Sequence, residues 1–89
     1  MLAMATTCLV ACASPVPVQE MSNARQTLQA AKEVQAQYFA PGSYLKAQVL
    51  LEKAVKQLSS GNYYVAKEYA VEAKLAASQA HRAALIQQR

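Results

Sequence analysis

Residues 63–84 read YYVAKEYAVEAKLAASQAHRAA, and within them Tyr63, Ala66, Ala70, Ala73, Ala77, Ala80 and Ala84 are spaced alternately three and four apart. Positions three and four apart share one face of an α-helix, so this rhythm lays an apolar seam along a helix for three heptads. A strand would need alternation by two. Working back toward the N-terminus, Gly61 is suited to the left-handed residue that ends a helix, and Asn62 to capping the next. Before them, Tyr44, Ala47, Leu51, Ala54 and Leu58 repeat the spacing and predict a second helix over 44–59. Pro41 pushes Ala40 out of the helical region, Gly42 supplies a turn and Ser43 an N-cap. A first helix is expected over 20–39, with Met21, Ala24, Leu28, Ala31, Val34 and Tyr38 on one stripe.

The expected links, 40–43 and 60–62, are short enough to make neighbouring helices antiparallel. The fold class is therefore all-α: a small up-down-up three-helix bundle or hairpin with alanine-rich heptad seams. Composition agrees, because 54% of the chain is hydrophobic while Trp is absent and Phe occurs once. Alanine supplies much of that content, so helix axes can approach toward the short end of the usual range of about 8 to 10 Å. Each buried alanine removes little area from water, which keeps stability per residue low. Tyr44, Ala47 and Ala54 recur as Tyr63, Ala66 and Ala73, which suggests duplication of one helical unit.

Charge divides the chain differently. Every Lys, Arg and Glu lies at or after Glu20, and residues 1–19 carry no ionisable side chain except Cys8 and Cys12. The apolar stretch over 2–10 is about half the length needed to span a bilayer and reads as the core of a signal peptide. It lacks the Lys or Arg with which such segments normally open. Leu9, Val10, Ala11 and Cys12 then resemble a bacterial lipobox, the run that precedes cleavage and lipidation of a cysteine. The chemistry asks for a thiol to take a diacylglycerol thioether, a small residue before the scissile bond, and apolar residues upstream to lie in lipid. A general secretory signal cut near Ala13, with Cys12 incidental, is the alternative. A disulfide between Cys8 and Cys12 would close no useful loop.

On this reading residues 1–11 are a lipoprotein signal peptide, 12–19 the lipidated cysteine and a tether, and 20–89 the helical domain. Each buried lipid methylene contributes about 0.8 kcal/mol, so the three acyl chains that the resemblance implies would anchor the protein permanently. Ala13 stands where Asp, in the Gram-negative lipoproteins this run resembles, favours inner-membrane retention. The expected location is the inner leaflet of the outer membrane, facing the periplasm.

The helical part carries a second resemblance. Ala40-Pro41, then Ala47, Leu51 and Ala54, then Gly61, Tyr63, Ala66, Ala70 and Ala73 are similar to the pattern of the domain of unknown function 4398 family, over residues 24–84. That resemblance implies a small Gram-negative envelope lipoprotein and transfers no catalytic residue. Gly61, Tyr63, Ala66, Tyr69 and Ala73 also resemble the second half of a tetratricopeptide repeat, but Lys53 and Lys56 stand where its first helix needs a large apolar and a small residue.

Little in the chain can do chemistry. There is one histidine, His81, and no Asp, phosphate-cradling glycine loop or nucleophile beside a base, so neither an enzyme nor a metal or cofactor site is expected. Lys67, Lys74 and His81 recur every seven residues and could meet an anionic lipid or glycan, or form a solvated face. Tyr38, Tyr44, Tyr63 and Tyr64 cluster near helix ends, where rings can stack on sugars or plug an alanine-lined bundle. These seven residues are the candidate partner or ligand surface. The expectation is a structural or adaptor lipoprotein that meets an envelope protein or its own copies, anchored in the membrane through Cys12; the alternative is a glycan- or lipid-binding module. Neither nucleic acid nor a small-molecule substrate is expected as a partner.

Overall fold

The computed structural model describes residues 16–88 and contains α1 (Val18–Glu33), α2 (Ala36–Phe39), α3 (Pro41–Ser59) and α4 (Tyr63–Gln87), with no strand among the described residues. The fold is all-α. The expected signal peptide, the run Leu9, Val10, Ala11 and Cys12, and the tether as far as Pro15 lie outside the described residues.

The fold is organised by α4. Its seam alanines, Ala66, Ala70, Ala73, Ala77, Ala80 and Ala84, are all buried, none more than 2% exposed, and Ala76 joins them at 3%. One core gathers Met21 and Ala24 of α1 and Ala47, Leu50 and Ala54 of α3 around Ala70, Ala73, Ala76 and Ala77. A second gathers Ala31, Ala36 and Tyr44 around Ala80 and Ala84. The end of α1, the start of α3 and the end of α4 therefore meet, which fixes the up-down-up order. Both α1 and α3 follow α4 closely and approach each other much less. Methyl side chains explain this, since they let backbones come close where leucines hold them apart.

Helix α3 serves two neighbours at once. Ala47, Leu50 and Ala54 lie buried in the core with α4, whereas Leu51 and Leu58, expected on the core stripe, pack only half-buried at its margin. The sequence stripe merged these two faces, and Leu50 is the core leucine of the pair.

The first helix departs most from expectation. It begins at Val18, two residues early, because Pro17 pre-sets its own φ and its carbonyl accepts the first helical bond from Met21 N–H at 3.0 Å. It also does not continue to Phe39. Gln35 takes a left-handed backbone, φ 61° and ψ 38°, its N–H bonds the Lys32 carbonyl at 2.9 Å, and α2 starts afresh. The break re-phases the stripe, so Ala36 is wholly buried and Tyr38, expected in the core, is 76% exposed. The Val34 carbonyl freed there accepts a hydrogen bond from Gln88 Nε2, which ties the end of α4 to the end of α1.

The first link is tighter than expected, and the second occupies residues 60–62 as expected. Ala40 alone separates α2 from α3, held outside the helical region at φ −143° and ψ 58° by the proline that follows, and Pro41 opens α3 at a position whose missing N–H costs nothing. Ser43 is consequently inside the first turn and is not the N-cap. Between α3 and α4, Gly61 is left-handed at φ 84°; its N–H bonds the Leu58 carbonyl at 3.0 Å and that of Asn62 the Gln57 carbonyl at 2.9 Å, a Schellman ending. Asn62 holds the N-cap position without a side-chain cap bond, and its Nδ2 donates to Gln57 Oε1 at 2.8 Å.

Two left-handed residues, one Gly and one Gln, generate a paired prediction. A Cβ at Gly61 meets nothing within 4 Å, so Gly61→Ala should cost only the conformational penalty, about 1 to 2 kcal/mol. Gln35→Gly should stabilise, by about 0.5 to 1 kcal/mol after the entropy of the freer unfolded chain is deducted. Urea unfolding of the three proteins measures both. In the seam, Ala73→Leu should cost about 1 to 3 kcal/mol by forcing axes apart, and an unchanged urea midpoint would mean that the close packing at Ala73 is unimportant.

Candidate interaction surface

The seven candidate surface residues do not form one site. Tyr44 is buried at the α2 end against Ala80 and Ala84 and plugs the bundle. Tyr38 lies near that end but is exposed, with Phe39 beside it in sequence. Tyr63 and Tyr64 open α4 at the opposite end, half-buried and exposed respectively. The two exposed tyrosines are thus carried by opposite ends of the bundle and cannot grip one short ligand together.

The basic row also divides. A seven-residue step falls about 20° short of two full helical turns, so a heptad row drifts around its helix. Lys67 and Lys74 are exposed, while His81 is half-buried in a hollow between α1 and α4 lined by Gln26, Thr27, Ala30, Ser78 and Arg82. Gln88, the next member, is engaged with α1 through Val34. The row therefore starts in solvent and ends in a helix junction, and it offers no continuous cationic strip.

Other features escaped the sequence reading. Where α1 and α3 diverge, a groove of about 500 Å³ is floored by Leu28, Leu51 and Val55 and rimmed by Arg25, Glu52 and Lys56. It follows from the alanine seams, since both helices are held to α4 more closely than to each other. On α4, Val71 and Leu75 are exposed one turn apart, and Leu85 and Ile86 are exposed at its end. A helical wheel centred opposite the alanines would have found Val71 and Leu75. Tyr69, by contrast, is half-buried on the core with the Lys53 ammonium 5.7 Å from its ring centre, a structural cation–π contact.

Electrostatics single out one tyrosine. A hydrogen bond to the Glu68 carboxylate, one turn further along α4, and the charge of that carboxylate raise the Tyr64 hydroxyl above the ordinary tyrosine range. Tyr64 contributes an apolar ring with a polar tip. Among the described residues, no three His, Cys or Glu side chains gather as metal ligands. Comparison of the chain with models of known families, with curated proteins and with solved structures finds no match.

Ring burial separates packing from recognition. Tyr44→Ala should lower stability by about 3 kcal/mol through the cavity it leaves. Tyr38→Ala and Tyr64→Ala should leave the helical circular dichroism signal unchanged, since both rings are exposed. If the same two variants also cosediment with purified peptidoglycan as the parent does, the exposed rings are not a glycan platform.

Proposed function

We propose that this chain is the precursor of a lipoprotein, anchored through lipid on Cys12 in the inner leaflet of the outer membrane, whose helical domain acts as a structural or adaptor element of the cell envelope. What carries the reading is the order of features: an apolar stretch, the run Leu9-Val10-Ala11-Cys12, and a few residues later a helical domain beginning at Val18. Lipid supplies the attachment, and no helix among the described residues is long and apolar enough to cross a membrane. The domain then offers helix faces rather than a pocket with reacting groups, which suits protein contact. The resemblance to the family of small envelope proteins noted above points the same way.

An anchor at Cys12 would have a geometric consequence. Helix α1 starts on the side of the bundle that carries the Gly61 turn, a few residues after Cys12, so the domain would be held close to the bilayer surface. The glycan- or lipid-binding alternative draws on the exposure of Tyr38 and Tyr64, but they lie on different ends and Lys67, Lys74 and His81 diverge. The adaptor reading uses the surface as it stands.

Cys12→Ala should abolish anchoring. Incorporation of labelled fatty acid should vanish and the protein should leave the membrane fraction, since lipid on one thiol is the attachment proposed. Equal labelling of the variant would overturn the reading.

A further inference from the structure

The exposed face of α4 is ordered in a way that chance scattering of apolar residues does not explain. At 100° per residue, Tyr64, Glu68, Val71, Leu75, Arg82 and Ile86 fall within an arc of about 60°, diametrically opposite the alanine seam. The apolar members are exposed by 73% at Tyr64, 42% at Val71, 58% at Leu75 and 66% at Ile86. Single exposed apolar side chains are ordinary, but a row of them along one helix marks a contact surface.

We propose that this face is the seam of a two-fold symmetric dimer, in which α4 packs antiparallel against α4 of a second copy with the axis at Leu75. The proposal rests on the helix-face half of the adaptor reading and names its partner. Symmetry about Leu75 places Tyr64 opposite Ile86 of the second copy, Glu68 opposite its Arg82 and Leu75 opposite its own counterpart. Val71 meets Gln79. Apolar ends thus cover one another, and the carboxylate–guanidinium pair is made twice, once on each side of the axis.

Charge selects this orientation over the parallel one. A parallel pair would set Glu68 on Glu68, Glu72 on Glu72 and Arg82 on Arg82, whereas the antiparallel pair joins unlike charges. Lys46 of α3 lies in the same hollow as Glu72, Leu75 and Gln79 and adds a cation at the rim. The row runs from Tyr64 to Ile86, about 33 Å at 1.5 Å per residue. Four large apolar side chains from each copy, with about 150 Å² or more from each tyrosine, bring the contact to the scale of about 1,000 Å² at which specific interfaces begin. Because the same patch serves both copies, assembly closes at two. Helices α1 and α3 flank this face without covering it: Arg82 borders the hollow with α1 and Leu75 the hollow with α3, and both remain exposed.

The full chain can be tested in cells with a photo-crosslinking benzoylphenylalanine placed at position 64 or 75. Irradiation should give a species of twice the mass, and peptide mapping should join position 64 of one copy to the neighbourhood of Ile86 in the other. Glu68→Arg should reduce the crosslinked yield about tenfold by setting like charges opposite twice, and Glu68→Arg combined with Arg82→Glu should restore it. The charges are exposed, so circular dichroism of the variants should match the parent. Absence of the doubled species, a map joining position 64 to position 64, failure of the double variant to recover, or crosslinks only to a different protein would each overturn the dimer. Fractionation of the same cells reports anchoring separately, so loss of the lipid reading and loss of the dimer are distinguishable.

Discussion

The structure depends on how closely two helices can approach a third. Residues on α4 that face its neighbours are almost all alanine, and a methyl group is the largest side chain that still lets backbones pack at the short end of helix spacing. Once α1 and α3 are both drawn to α4, their mutual distance follows, and Leu28, Leu51 and Val55 are left to floor an open groove between them. The seam also sets the energetic character of the domain. It trades hydrophobic area per residue for a large number of backbone-close van der Waals contacts.

The same constraint divides what the sequence disclosed from what it concealed. The α4 seam was legible residue by residue, because a three-four spacing of one residue type has a single helical interpretation. The Gly61 turn was legible too, since glycine announces a left-handed backbone. Gln35 adopts nearly the same conformation with a side chain that announces nothing, so α1 and α2 read as one helix and Tyr38 was placed in the core. Ala36 is the reason the break is tolerated: the re-phasing delivers another methyl to the junction with Ala80 and Ala84. Tertiary packing overrode a local preference that favours a continuous helix.

The surface was less legible than the core for a related reason. Periodicity finds the face a helix buries, and the eye then discounts the opposite face as solvated. Lys67, Lys74 and His81 share a heptad register and seemed one strip, yet the mismatch between 3.6 and 3.5 residues per turn carries the row from solvent into the α1 junction. Val71 and Leu75 were passed over because they interrupt no pattern. Tyr64 shows the limit from the other side: its position near a helix end was clear, but its pairing with Glu68 required the turn-by-turn geometry of α4.

The alanine seam has one more consequence, in the temperature dependence of folding. Apolar surface exposed on unfolding is what gives that reaction its heat capacity, and polar surface opposes it. Among the described residues, Met21, Tyr44 and Leu50 are the only members of the buried hydrophobic core larger than alanine, and such a core exposes little apolar surface when it opens. The heat capacity of unfolding per residue is then low, and the stability curve is a shallow arch in place of a steep dome. Such a domain holds a nearly constant, small margin from cold to warm and loses it over a broad transition.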